Sequence, residues 1–513
     1  MTPSTTTTRF PRASGVLLHL TSLPGPHGSG DLGPSAYHFI DWLALGRQTL
    51  WQFLPLGGIG LGNSPYMGSS AFAGNVLLID LAELEQRGWL SAADLVPVDG
   101  LHDTHVHFDV VIPFRMERLA RAAARFQSLA SPEERADFAA FCTRQADWLD
   151  DYALFMTFSE HFGGRMWNTW DAPLAWRDAE ALAQAAADHA ERIAFWQFSQ
   201  WCFFRQWSRL RAYAHARKVR LVGDMPMFIA LNSADVWARP DLFQLDGQGN
   251  PTVVAGVPPD AFSDTGQRWG NPIYRWSAHE AEQFQWWIAR LRVTFELVDL
   301  LRVDHFRGFE SCWEIPASEP HAIHGQWVPA PGAALFKAVS DALGPLPIIA
   351  EDLGVITPAV VALRKAFGFP GMRVLHFAWG DDDGGKNIYL PHNYEHDTVV
   401  YPGTHDNDTS QGWWESAPER TRHHLREYLA CDGQDISWTL IRTACASVAD
   451  LAIHAMQDVL RLPGAHRMNT PGTPQGNWSW RFRWSQVQPL HADGLARFCH
   501  VYARLPVMEA TPC

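Results

Sequence analysis

Eight short apolar runs recur along this chain, each followed by a polar or glycine-rich loop and then a helical stretch. They are 15–20 (GVLLHL), 49–56 (TLWQFLPL), 219–224 (VRLVGD), 298–304 (VDLLRVD), 346–351 (LPIIAE), 372–377 (MRVLHF), 398–403 (TVVYPG) and 453–460 (IHAMQDVL). Strands buried on both faces of a parallel sheet read as continuous apolar runs rather than alternating ones, and most of these do. Eight strand–helix units point to an α/β fold, a (β/α)8 TIM barrel. The last run also fits a helix, because period alone does not separate short apolar strands from helices.

The units are unevenly spaced. Residues 57–215 are too many for one crossover and carry helical patterns: Trp148, Tyr152, Phe155 and Phe162 share a face, as do Leu119, Ala123 and Phe126, at helical spacing. A large, mainly helical insertion is expected there. A second insertion, 225–290, is rich in Pro, Gly and Trp and reads as loop-rich. Loops of that length usually carry function, so it is assigned to a substrate cleft. The expected layout is a flexible tail over 1–13, one barrel over 14–505 and a C-terminal tail over 506–513. That leaves no room for a C-terminal β-domain.

Composition narrows the function classes. The formal net charge of -14 argues against a nucleic-acid binder, which would carry a basic patch. The seven cysteines are scattered with no CxxC pair, which fits free thiols in a reducing compartment. The N-terminus lacks an apolar signal core, and no apolar run reaches the roughly 20 residues of a membrane span. A cytoplasmic protein without membrane association is expected. Most of the 24 tryptophans are expected in the core, with a minority free to stack on sugar rings.

Three of the runs end in carboxylates: Asp304 in LLRVDHFRG, Glu351 in IIAEDLG and Asp406 in VVYPGTHDND. In a parallel barrel the C-terminal strand ends open onto one face, where active sites are built. The three would sit on barrel strands four, five and seven. Arg302 lies two residues before Asp304, on the same side of the strand, where a cation would keep the carboxylate charged. Glu351 follows apolar Ile348, Ile349 and Ala350, so a raised pKa is expected. Such a pair suits a retaining glycosidic mechanism, one group as nucleophile and one as acid/base. Any one of them alone also fits a rim salt bridge or a helix N-cap; three together favour chemistry.

These segments resemble the signature regions of the 4-α-glucanotransferases (amylomaltase, or disproportionating enzyme) of the α-amylase superfamily. So do GVLLHLTSLPGPHGSGDLG, NSPYMGSSAFAGN, VGDMPMFIA, GVPPDAFSDTGQRWGNPIY, MRVLHFAWG and RMNTPGTPQGNWSWR. The match runs in order from about residue 14 to 485. The resemblance implies Asp304 as nucleophile, Glu351 as general acid/base and Asp406 as transition-state stabiliser. Arg302 and His405 match residues that position the nucleophile and bind the sugar at the cleaved bond. Asp224 and Tyr66 match others of that subsite, Trp269 matches a loop residue over the donor sugar, and Ser64, His305 and Asn477 join the substrate-binding set. The implied donors and acceptors are α-1,4-glucans and maltooligosaccharides, with glucose as a further acceptor, and no cofactor or metal is implied. The chain departs from the family pattern at Leu61, Asn63 and Ala261, where Tyr, Asp and Tyr are usual, and at Leu20 and Pro402. Leu61 and Ala261 bear on long-glucan binding and acceptor preference.

Other signals carry less. Gly28-Ser29-Gly30-Asp31-Leu32-Gly33 has dinucleotide-fingerprint spacing, but Pro24 and Pro26 separate it from the strand, whereas that motif joins strand to helix tightly. A loop at the barrel mouth is expected. His102, His105 and His107 with Asp103 read as a solvated loop, since no further ligand follows at metal-site spacing. His305, His405 and Asp408 would suit a metallo-hydrolase only with an HxH on the first strand, where His19 stands alone. Two other readings of the carboxylate site stand beside transfer: an α-1,4-glucan hydrolase, and a glucan-binding protein with an inactive site.

Overall fold

The computed structural model describes residues 10–259, 263–380 and 383–505. Its twelve strands are β1 (Ala13–Leu17), β2 (Leu50–Gln52), β3 (Arg220–Met225), β4 (Val253–Val257), β5 (Gln267–Pro272), β6 (Leu300–Val303), β7 (Ser311–Pro316), β8 (Gln326–Pro329), β9 (Ile348–Ala350), β10 (Gly371–Val374), β11 (Thr398–Tyr401) and β12 (Leu451–Ala455). Eight form one parallel sheet in the order β10-β11-β12-β1-β2-β3-β6-β9, a nearly closed (β/α)8 barrel. All eight apolar runs of the sequence contribute a strand to it. The run 453–460 is divided: its start belongs to β12, and Met456–Val459 turns into a short helix.

The barrel closes between β9 and β10 by an unusual seam. One backbone bond, Ala350 N–H to Pro370 O at 2.9 Å, crosses it. Beyond that the Asp352 side chain replaces a strand, accepting from Met372 N at 2.7 Å. Gly371 leaves room for that carboxylate, because a Cβ there would collide with it. Arg364 and Arg373 face Asp352 at 3.3 and 3.7 Å, and both Asp352 and Arg364 are buried.

The stretch between β2 and β3 holds the long helices Phe108–Leu129, Pro132–Arg144, Ala146–His161 and Ala190–Ala216. Trp148, Tyr152 and Phe155 are buried on one of them, and Leu119, Ala123 and Phe126 on another. Phe162 falls just past its helix, at the C-cap. The helix Ala190–Ala216 buries Phe195, Trp196, Phe198, Trp201, Phe203, Phe204 and Trp207. So many large rings cover most of its circumference, as in a helix sunk within a core. Trp51, Trp89, Trp167, Trp207, Trp237 and Trp287 are almost wholly buried, and much of the tryptophan excess is therefore structural.

The stretch 225–290 is not simply loop. It supplies β4 and β5, which join β7 and β8 in an antiparallel sheet of order β5-β4-β7-β8. Gly256 and a register shift near it in β4, with Pro316, Pro329 and Pro272 at strand ends, blur the alternation that marks a strand. Glycines 28–33 lie in the turns after β1 and cap the helix Pro34–Leu45, as expected of a mouth loop. Past β12 the described residues form helix and loop. Among the described residues no helix is long and apolar enough to cross a membrane. Ala261 lies outside the described residues.

The seam gives a stability test. Asp352→Ala strands the Met372 N–H and leaves the buried Arg364 guanidinium to Phe369 O and the partly exposed Asp397, and breaking a buried pair typically costs about 3–5 kcal/mol. The variant is expected to unfold several degrees below wild type in a thermal scan; an unchanged midpoint would mean the seam does not depend on this carboxylate.

Candidate active site

Strand order explains why three distant carboxylates meet. Asp304 follows β6, Glu351 follows β9 and Asp406 follows β11, each at the C-terminal end of its strand. These are the fourth, fifth and seventh barrel strands, as expected.

At the centre lies Arg302, almost wholly buried on β6. Its Nη1 meets Asp304 Oδ1 at 2.9 Å and donates to Asp224 Oδ1 and Oδ2 at 2.8 and 2.9 Å. Asp224 sits opposite on β3, its Cα registered with that of Arg302. Burial disfavours the Arg302 charge, but Asp224 and then Asp304 outweigh it and hold the guanidinium well above its usual range. Burial, with Asp304 nearby, pushes Asp224 up, while Arg302 opposes the shift.

Tyr66 extends this network. Its hydroxyl donates to Asp224 Oδ2 at 2.8 Å and meets His405 Nε2 at 2.9 Å, the two rings stacking at 5.4 Å. The hydroxyl has one proton, so with Asp224 taking it, His405 Nε2–H is the donor to Tyr66. His405 Nε2 also lies 3.3 Å from Asp406 Oδ2. A continuous polar chain therefore runs Asp304–Arg302–Asp224–Tyr66–His405–Asp406.

Glu351 is held separately. Its Oε2 accepts from His305 N at 2.8 Å and its Oε1 from Leu353 N at 2.9 Å. Burial, reinforced by the charge of Asp304, lifts its carboxyl to about 7 against those donors and Arg302. The raised pKa expected from its apolar approach is present, and its dominant cause is desolvation. His305 adopts left-handed backbone, φ 50°, and Trp269 meets its ring edge-on at 4.9 Å. Burial drives His305 down to about 4, so it is neutral at ordinary pH. Trp269 lies on strand β5 rather than on an irregular loop.

Ser64 and Asn477 each hold a turn. Ser64 Oγ accepts from Tyr66 N at 3.2 Å and caps the turn that presents Tyr66. Asn477 holds the loop 470–477, accepting from Thr470 N and donating to Thr473 O, both at 2.9 Å. The adjacent Trp478 packs against Tyr66 and His405 with ring centroids 5.8 and 6.1 Å away.

Two further groups went unread in the sequence. Asn469 Nδ2 donates to Asp406 Oδ1 at 2.6 Å, and Arg467 Nη2 donates to Asp406 O at 2.9 Å. Both lie in the RMNTPG segment, whose motif pointed to the region without singling them out. The departures from the family pattern sit in varied surroundings, and Pro402 O accepts from His376 N at 3.1 Å. Leu61 is 86 % exposed, Asn63 occupies left-handed backbone at φ 60°, which Asn tolerates, and Leu20 is fully buried. Among the described residues no group of three His, Cys, Asp or Glu side chains could hold a metal; the His102 and His107 rings lie tilted against each other with centroids 4.2 Å apart.

A family model described as 4-alpha-glucanotransferase matches residues 18–487. The chain belongs to that family. It is 50 % identical over 504 residues to the 4-alpha-glucanotransferase of Thermus thermophilus, covering 97 % of this chain and all of that one. It is 46 % identical to the 4-alpha-glucanotransferase of Synechocystis, covering 96 % and 98 %. The solved amylomaltase from Streptococcus agalactiae in complex with acarbose superposes with a TM-score of 0.93 at 39 % identity, over 96 % of this chain and 100 % of that one. As a family member the chain is a glucan transferase, and the hydrolase and inactive-binder readings are not favoured.

The Asn469 contact generates a test. Asn469→Ala frees Asp406 Oδ1 to rotate. Misplacing a reacting group by about 1 Å can cost about 100-fold, so kcat on maltotriose is expected to fall at least tenfold with a smaller change in KM. Wild-type kcat would show that Asp406 does not need this amide.

Proposed function

We propose that this 4-alpha-glucanotransferase works by double displacement, with Asp304 as nucleophile, Glu351 as acid and then base, and Asp406 as stabiliser of the distorted sugar. The reading is carried by the contrast between two neighbouring carboxyls. Glu351 is pushed up to about 7 and so holds a proton to give, while Asp304 is ion-paired to Arg302 at 2.9 Å. Environments that set two carboxyls to opposite tasks mark an acid and a nucleophile.

In the first step Asp304 attacks C1 of a glucose unit and the bond from C1 to the departing 4-oxygen breaks. Glu351 gives its proton to that oxygen. A glucosyl ester joins the sugar to Asp304. In the second step the 4-hydroxyl of an acceptor loses its proton to Glu351 and attacks C1; the ester bond breaks and Asp304 leaves as a carboxylate. Two inversions preserve the α-linkage. Donors and acceptors would be α-1,4-glucans and maltooligosaccharides, with glucose as a further acceptor.

Tyr66, Asp224, Arg302, His305, His405 and Trp269 would bind the sugar at the cleaved bond. Ser64 and Asn477 would add further substrate contacts from the turns that they hold. Transfer demands that water reach the ester slowly, and the wall formed by Trp269 against His305 is suited to that shielding. No cofactor is needed for these steps. A cytoplasmic location fits the scattered cysteines, of which the six described are free.

Maltotriose alone, followed by chromatography over time, tests the reaction. A ladder of longer maltooligosaccharides with free glucose is expected, and Asp304→Asn should abolish it, by about 10⁴-fold or more as for loss of a nucleophile. Maltose and glucose without longer products would make the enzyme a hydrolase. Activity in Asp304→Asn near wild type would remove Asp304 as nucleophile.

The acid also sets a pH limb. Glu351 must be protonated to open the bond, and its proton is lost as pH rises through about 7. A fall in kcat/KM above that pH is expected, since that parameter reports the free enzyme. A profile flat from about pH 6 to about pH 8.5 would exclude Glu351 as the acid.

A further inference from the structure

Beneath the loop that carries His405 and Asp406 lies a second, buried polar chain that the mechanism above does not use. Ser410 opens the helix Ser410–Ser416 that follows this loop. Its N–H and its hydroxyl both donate to Asp458, at 2.6 Å to Oδ1 and 2.9 Å to Oδ2. Its Oγ also meets His376 Nε2 at 3.1 Å. The hydroxyl proton is committed to Asp458, so His376 Nε2–H donates and the ring is fixed in one tautomer. Its Nδ1 is buried without a partner.

The three groups come from three neighbouring units. His376 follows β10, Ser410 follows β11 and Asp458 follows β12, so the sixth and eighth strands grip the seventh strand's loop from both sides. Ser410, Asp458 and His376 are 0, 1 and 5 % exposed. His376 stacks face to face on Trp413 at 4.8 Å and 3°, which fixes its plane. The grip continues under the loop itself: a Cβ on Gly403 would meet His376 Cε1 at 2.7 Å, so only glycine lets the backbone lie against the imidazole. Burial pushes Asp458 up to about 6, with Asp408 adding to it, and drives His376 down to about 3. Near pH 7 the carboxylate is charged and accepts both bonds, and the ring is neutral.

We propose that His376, Ser410 and Asp458 form a clamp of positioning residues that sets the height of the 404–409 loop and thereby places His405 and Asp406 against the sugar. The clamp touches no substrate; it acts through Asp406, and it rests on the role given to Asp406 above. Loss of the clamp lets the loop shift, which costs rate more than it costs binding, because Asp406 serves the distorted sugar rather than the relaxed one.

The test compares Ser410→Ala, His376→Gln, His376→Leu and Asp406→Asn, with kcat, KM and thermal midpoint measured for each on maltotriose. Ser410→Ala is expected to lower kcat about 10- to 100-fold, the range for a misplaced reacting group, with KM within about twofold. His376→Gln keeps an N–H donor and should restore kcat to within about threefold of wild type, while His376→Leu should match the Ser410→Ala loss. Wild-type kcat in Ser410→Ala would overturn the clamp, as would equal loss in both His376 variants. If Ser410→Ala does not fold, the two His376 variants decide alone. Asp406→Asn separates the two claims. If it is active, the role of Asp406 fails; if it is inactive while Ser410→Ala is normal, only the clamp fails.

Discussion

The site depends on one buried cation. Arg302 places a single nitrogen between Asp224 and Asp304, and it can do so only because β3 and β6 are adjacent, with Asp224 and Arg302 in register. Three charged groups within a barrel core are costly to desolvate. They are tolerable here because each has a partner of opposite sign or a committed hydrogen bond. Removing Arg302 would therefore do more than free Asp304. It would strand Asp224, and with it the Tyr66 hydroxyl and the His405 ring that together bring Asp406 into the same network. The geometry of the carboxylates is thus one connected electrostatic structure rather than three independent placements.

The large additions between barrel strands serve that structure. Tyr66 comes from the stretch between β2 and β3, anchored by a tightly packed helical body: Gly74 N donates to Gln200 Oε1 at 2.8 Å, and Gln200 Nε2 returns a bond to Gly74 O. Trp269 comes from the small antiparallel sheet, which is held to the barrel by the fully buried Tyr274 donating to Met227 O at 2.7 Å and by Arg290 donating to Pro226 and Met227 carbonyls. Both additions deliver an aromatic side chain to the mouth from rigid elements. Such support keeps a reacting geometry within the narrow limits that catalysis requires.

How much of this could be read in the sequence follows from which forces act locally. The barrel strands were legible because double burial forces continuous apolar runs, and the carboxylates because each closes such a run. Arg302 was legible because i and i+2 share a strand face. Asn469 was not, since an amide in a Pro- and Gly-rich loop has no period, and its partner Asp406 is brought to it only by the neighbouring strands β11 and β12. The small sheet was hidden for a similar reason: β4 and β5 come before β6, β7 and β8 after it, so the central pairing of β4 with β7 spans the barrel strand. The Asp352 seam was hidden too, because a carboxylate in place of a strand ladder leaves no apolar signature. Ser64 and Asn477 were reached through motif membership alone, and each side chain holds a turn there.

The backbone at His305 ties these levels together. A non-glycine residue in the left-handed region costs about 1 kcal/mol or more, and here the strain has an evident return. The turn after Asp304 directs the His305 N–H to Glu351 Oε2 and lets Phe306 N bond the Glu351 carbonyl at 3.2 Å. The two residues after Asp304 therefore fix Glu351 by its side chain and by its backbone. The conformation is kept in place by packing of the His305 ring against Trp269 and Phe228 and by the exclusion of water from the ring. Burial raises Glu351 as well, so the turn and the carboxyl it holds share one desolvated corner of the site. Loosening that packing would relax the turn that directs the His305 N–H at Glu351 Oε2, so the position of this carboxyl depends on the rings around His305.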